Sequence, residues 1–193
     1  FACLHSGLWS QPTTWDIGKV PTLADNVVLD NDGEIVCIDS RFSGCNDLTL
    51  AGTNTKLQFA LSSTVDEFIV NNDVNVSAAG AQLNIHDGTN GKYIKVGGNF
   101  NIGAGARFDC QKGFSGFTGR INFNGTVVKN VTIDPAALIG GSTTQANTSS
   151  NMFNVIGTLE VTNTATANPN ILWNADGIRI KNGFLIPTGK ISI

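Results

Sequence analysis

Val70-Asn-Asn-Asp-Val74-Asn-Val76-Ser-Ala-Ala-Gly80 and Val96-Gly-Gly-Asn-Phe100-Asn-Ile102-Gly-Ala-Gly-Ala106 are the stretches whose comparison decides the fold. Laid over each other at an offset of 26 residues, apolar falls on apolar and polar on polar. With one residue deleted the match runs on, Ala81-Gln-Leu83-Asn-Ile85 falling on Ala106-Arg-Phe108-Asp-Cys110. A period of roughly 20–50 residues marks architectures in which each unit buries its apolar face only against its neighbours.

Outward from this pair, apolar-x-apolar triplets keep returning: Leu48-Thr-Leu50, Leu57-Gln-Phe59, Ile94-Lys-Val96, Ile121-Asn-Phe123, Val131-Thr-Ile133, Leu159-Glu-Val161, Ile178-Arg-Ile180 and Ile191-Ser-Ile193. Two apolar residues around one polar residue is the period of two expected of a strand with one face buried. No segment between them carries the 3.6-residue spacing of a crossover helix, which excludes α/β folds. Three short strands and three turns fit one coil of the repeat. We therefore expect an all-β fold, a right-handed parallel β-helix, with Val74 beneath Phe100 and Ile85 beneath Cys110. An antiparallel sandwich would also supply short strands, but gives no reason for a repeat that preserves register.

Composition agrees. Charged residues are 14% of the 193, against roughly a quarter in an ordinary domain. Polarity comes instead from 22 Asn, from Ser and from Thr, beside 22 Gly, and Asn and Gly are the residues that tolerate left-handed backbone in turns. A net charge of −3 lacks the basic face that nucleic acid requires, so no nucleic-acid partner is expected. No apolar run approaches the roughly 20 residues of a membrane helix, so no span is expected either. The chain opens at Phe1 and closes on Ile191-Ser-Ile193 in mid-pattern, which reads as a fragment of a longer protein or a chain whose leader is gone.

Two regions depart from the repeat. Residues 1–40 hold Trp9, Trp15, Pro12 and Pro21, and Asp30-Asn-Asp-Gly33 lies between Asn26–Leu29 and Ile35–Ile38 as a hairpin turn would. An open solenoid end exposes core and unpaired backbone, so residues 1–40 read as an N-terminal cap with hairpin, plugged by the two tryptophans. The tryptophans could also form a sugar platform. Residues 41–193 read as the coils. Gly140-Gly-Ser-Thr-Thr-Gln-Ala-Asn-Thr-Ser-Ser150 reads as a polar surface loop near 140–150.

Candidate chemistry is sparse. Four cysteines allow three connectivities, and the short spacing favours Cys37 with Cys45 as a disulfide, which would imply an oxidising compartment. Cys110 falls at a core position and reads as a free thiol. No metal-knuckle spacing is present, and neither metal nor cofactor is expected. Asp30, Asp32 and Glu34 offer alternate oxygens to calcium, although the turn itself accounts for that run. Catalysis on a glycan would need two carboxyls about 5–9.5 Å apart. Asp66 and Glu67 are neighbours that would face opposite ways, and Asp134 precedes a proline. Asp87 and Asp109 fall at comparable turns of successive coils, and are the ligand-binding candidates. His86 has no recognisable catalytic partner, and no catalytic residue is assigned. Asn75-Val-Ser, Asn124-Gly-Thr, Asn130-Val-Thr and Asn147-Thr-Ser match the N-glycosylation acceptor, as an Asn- and Thr-rich chain will by chance.

Several stretches carry a resemblance. Ser6-Gly-Leu-Trp9-Ser-Gln-Pro12-Thr-Thr-Trp15-Asp, Val20-Pro21-Thr-Leu-Ala-Asp25-Asn-Val27-Val-Leu and Ile35-Val-Cys-Ile-Asp39 look like the opening of a class of extracellular repeat proteins. Asp47-Leu-Thr-Leu-Ala-Gly52-Thr, Val96-Gly-Gly-Asn-Phe-Asn-Ile-Gly103 and Ile121-Asn-Phe-Asn-Gly125-Thr followed by Val131-Thr-Ile are similar to its later rungs. That class comprises β-helix adhesin-like surface proteins of Bacteroidetes-type bacteria, exported by the type IX route. A similar opening stands in the eight-glycine domain of hyaluronan-handling proteins. The resemblance implies a β-helix and a secreted or cell-surface location, without fixing an activity. The expected function is a non-catalytic structural or adhesive module. Its expected partners are a polysaccharide or cell-surface glycan and neighbouring domains or copies of a larger assembly. The alternatives are a carbohydrate-active β-helix, lyase or hydrolase, and a phage tail-spike or fibre segment.

Overall fold

The computed structural model describes residues 1–61, 64–85 and 92–109, and beyond them the strands at 120–123, 129–133, 138–139, 152–156, 159–162 and 179–181. Within the described residues the apolar-x-apolar triplets become strands that stack in parallel, each on its counterpart one turn away, and the fold is a parallel β-solenoid. Sheet I contains β2 (Val27–Leu29), β5 (Leu48–Leu50), β8 (Val74–Val76), β11 (Phe100–Ile102), β14 (Lys129–Ile133) and β17 (Leu159–Thr162). Sheet II contains β1 (Gly7–Leu8), β3 (Ile35–Ile38), β6 (Lys56–Phe59), β9 (Gln82–Asn84), β12 (Arg107–Asp109) and β15 (Leu138–Ile139). Sheet III contains β4 (Gly44–Cys45), β7 (Glu67–Val70), β10 (Tyr93–Val96), β13 (Arg120–Phe123), β16 (Met152–Ile156) and β18 (Arg179–Lys181).

The register is the one the repeat demands. Phe100 lies opposite Val74 and Ile102 opposite Val76, Val96 opposite Val70, and Phe108 opposite Leu83. Along each strand, alternate side chains enter one continuous core: Val74 and Val76, Phe100 and Ile102, Leu57 and Phe59 are all buried. Like sits on like, so the core has no layer break, and a Phe in one turn covers the smaller Val of the turn before. Phe100 meets Phe108 edge-on across the interior, ring centroids 5.3 Å apart. The expected deletion falls in the turn that holds Gly80 and Gly105, because Val76 lies opposite Ile102 at an offset of 26 residues and Gln82 opposite Arg107 at 25.

Those two glycines belong to a column at the corner between sheets I and II. Gly33, Asn54, Gly80 and Gly105 have φ of 74°, 59°, 73° and 69°. Each turns the chain in left-handed backbone, and the column is tied along the axis: Gly33 N–H to Thr53 O at 2.8 Å, then Asn54 N–H to Ala79 O at 3.2 Å. A Cβ at Gly80 would collide with the Asn54 side chain.

This geometry corrects the hairpin expected within residues 1–40. β2 and β3 do not pair with each other. β2 pairs with β5 in sheet I and β3 with β6 in sheet II, both in parallel, and Asp30–Gly33 is a solenoid corner. Upstream, residues 1–16 lay an incomplete turn over this first complete one: Ala2 bridges Val28, and β1 runs along β3. The chain then doubles back so that Trp15 bridges Cys3 in the antiparallel sense. Trp9 and Trp15 are both fully buried, edge to face at 4.8 Å, and Trp9 meets Phe68 in the same way at 4.8 Å. The Trp15 Nε1–H donates to the Trp9 carbonyl at 3.0 Å.

Candidate binding face

A solenoid with a sealed core can act only through its outer faces and corners, and the three faces differ in how far their polar groups satisfy one another. On sheet I the ladder is closed. Asn101 Nδ2 donates to Asn75 Oδ1 at 2.7 Å, one full turn of 26 residues away. At the corner leading into that sheet, Asp47 Oδ1 accepts from Asn72 Nδ2 at 2.8 Å and from the Asp73 N–H at 3.0 Å. Asp73 Oδ1 accepts from the Asn99 N–H at 2.6 Å. These carboxylates hold the backbone of the next turn in place. Asp25, at the first turn, accepts from the Thr22 hydroxyl at 2.6 Å and the Thr22 N–H at 2.8 Å, which pulls its pKa below the usual carboxylate value.

Sheet III is closed by ion pairs. Lys95 Nζ stands 2.6 Å from Glu67 Oε2, and the buried Lys92 reaches Asp66 Oδ1 at 3.0 Å. Asp66 and Glu67 thus go to separate cations, in keeping with the opposite orientations expected of strand neighbours.

Sheet II is the exception. Leu57 and Leu83 point inward, so Lys56, Gln58, Gln82 and Asn84 stand on the outside. Strand register sets Lys56 beside Gln82 and Gln82 beside Arg107, and in the adjacent column Gln58 beside Asn84 and Asn84 beside Asp109. Rungs stand about 4.8 Å apart and the two columns about 6.6 Å. Gln58 Nε2 meets only the Cys37 sulfur, at 3.6 Å. Asn84 is 7% exposed, and its Oδ1 is buried without a hydrogen-bond partner. An orphaned amide oxygen costs about 1–3 kcal/mol and calls for an explanation. Alternation places Asn84 on this face, but nothing in the sequence signals that it is covered there or that its oxygen lacks a partner.

Asp109, expected to stack with Asp87, closes strand β12, and its counterpart one turn back is Asn84. Asp87 itself, with His86, Cys110, Asp134 and the 140–150 loop, lies outside the described residues.

No known protein family, curated protein or solved structure matches this chain.

The cysteines supply no crosslink among the described residues. Cys37 and Cys45, expected to pair, are both free thiols, as is Cys3. In β3, Val36 and Ile38 fill the core, so Cys37 faces outward, whereas Cys45 is buried inward in β4. Two thiols on opposite sides of the wall cannot meet without moving backbone. Burial, reinforced by the Glu34 carboxyl, pushes the Cys3 thiol up to about 12, and burial also raises Cys37 and Cys45. Glu34 Oε2 is buried without a hydrogen-bond partner, while Asp32 Oδ1 accepts from the Thr53 N–H at 2.7 Å. Among the described residues no three His, Cys, Asp or Glu side chains gather as metal ligands. No described helix is long and apolar enough to cross a membrane.

Proposed function

We propose that this chain is a non-catalytic structural or adhesive module of a secreted or surface protein, presenting a rigid outer wall to a polysaccharide or cell-surface glycan. The observation that carries the reading is the employment of seven of the described carboxylates. Asp25, Asp32, Asp47 and Asp73 accept backbone N–H groups. Asp39 is clamped by Ser10, and Asp66 and Glu67 are held by lysines. Carboxyls committed in this way build a wall; a hydrolase needs a facing pair left to exchange protons.

A second observation favours recognition. On the described parts of the first two connections between sheets II and III, Phe42 is 91% and Leu61 76% exposed. Variable segments on a rigid scaffold are where binding surfaces commonly form. Residues 1–16, with Trp9 and Trp15 inside, serve in this reading as the cap that shields the first turn. A glycan array run beside a product assay on the same polymers tests the proposal. Retention on at least one glycan without release of oligosaccharide is the expected result; turnover by the chain alone would sink it.

A further inference from the structure

Resting on the adhesive reading, we infer that the outer face of sheet II is its glycan site. There Gln58, Gln82 and Asn84 grip vicinal hydroxyls of a chain lying along the solenoid axis, with Lys56 at the edge of the grip. The choice among faces follows from what each leaves undone. Sheet I's Asn75 and Asn101 bond each other, and sheet III's Lys95 is paired with Glu67. On sheet II, three primary amides occupy neighbouring positions on two consecutive rungs and make no hydrogen bond to one another.

A carboxamide offers an acceptor and two donors in one plane. That matches adjacent sugar hydroxyls, each a donor and an acceptor, and a column of amides repeats the match along the axis. Asn84 forms the floor, 93% buried by its 7% exposure, with Oδ1 lacking a partner within the protein. The half-exposed Gln58 stands beside it in the same column, and the half-exposed Gln82 and Lys56 stand in the adjacent column. An acceptor withdrawn from water and left without a donor is the group that a bound hydroxyl would satisfy. Vicinal hydroxyls occur in neutral and in uronate-bearing glycans, and Lys56 adds attraction only for the latter.

Asn84→Leu, similar in size and without polar atoms, separates ligand binding from folding. The probes are immobilised glucan, xylan and galactan as neutral polymers, with pectate and alginate as uronate polymers. Wild-type protein should bind at least one of them. Asn84→Leu should weaken that binding tenfold or more while leaving the urea midpoint unchanged or raised. Gln82→Ala, at a half-exposed position, should weaken it about threefold in the folded protein. Lys56→Ala should act on the uronate arm only, and more at low salt.

A lowered midpoint for Asn84→Leu would assign the amide to the fold and overturn the inference. Unchanged binding by Asn84→Leu and Gln82→Ala, with wild type still binding, would overturn the site and leave the adhesive reading standing. Failure of wild type on every polymer would remove both.

Discussion

At Gly80 one dihedral angle decides whether the corner between sheets I and II closes. Its φ of 73° is open to glycine at no steric cost, and the preceding turn's Asn54 side chain occupies the space where a Cβ would stand. Left-handed backbone costs an L-residue roughly 1–2 kcal/mol, and the collision adds to that. Gly80→Ala should therefore destabilise the protein by about 2–3 kcal/mol in urea denaturation. Gly18 provides the comparison, because its φ is 64° and nothing stands within 4 Å of an added Cβ. Gly18→Ala should lose only the backbone share, about 1 kcal/mol; equal losses at the two sites would remove the packing part of this account. The buried thiols make a prediction of opposite chemical character. Their folded pKa values lie above the ordinary value near 9, with Cys3 at about 12. An unfolded thiol releases its proton first as pH rises, so the stability that these groups contribute is full below about 8.5 and is lost as pH climbs toward the folded values. Alkaline solution should destabilise wild type more than Cys45→Ala between pH 9 and 11, measured as the fall in urea midpoint relative to pH 8. A thiol reagent at neutral pH should modify Cys37 before Cys3 and Cys45, since it alone of the three is half-exposed.

Single strands this short would not persist alone; stacking on a neighbour makes them. This is also why the strands were legible in the sequence. Val74-Asn-Val76 and Phe100-Asn-Ile102 announce both the alternation and the offset, and the structure pairs them residue for residue. The Asp30–Gly33 corner was misread for a physical reason. A tight hairpin and a solenoid corner both need left-handed backbone, so Asp-Gly marks the turn without saying which strands it joins. Only the partners of β2 and β3, one turn along, distinguish the two. The Cys37–Cys45 pairing erred by counting residues between the thiols instead of following the alternation from Val36 and Ile38, which already turns Cys37 outward. Part of the candidate face could be read ahead: Gln58, Gln82 and Asn84 fall at outward positions of the triplets. The burial of Asn84 could not, because alternation says only which face a side chain takes and not how far it is covered there. The strand scale also fixes what a core truncation should do. Phe100 packs on Val74 in register and edge-on against Phe108. Phe100→Ala should thus cost about 3–5 kcal/mol. Phe42→Ala, on a connection and 91% exposed, should shift the midpoint by no more than about 0.5 kcal/mol. A large loss at Phe42 would mean that the connection between sheets II and III packs on the core.

Over the whole rod, contacts run between neighbouring turns, so stability is distributed along an axis and the ends are where it should fail first. The N-terminal turn is the place to test this, because it is incomplete and depends on two tryptophans for its interior. Trp9 touches Trp15 within its own turn and Phe68 of sheet III, which makes it the rivet between the first turn and those that follow. Truncating it to alanine should remove about 3–5 kcal/mol of packing. In a globular two-state domain that loss would be felt equally by every slowly exchanging amide. Here it should be local. Hydrogen exchange in Trp9→Ala should accelerate most at β1, β2 and β3, whose outer neighbours are the loosened residues, while β8 and β11, stacked between intact turns, keep most of their protection. Uniform acceleration from β2 through β11 would show instead that the stack unfolds as one unit, and that Trp9 supports the whole rod and not only its first turn.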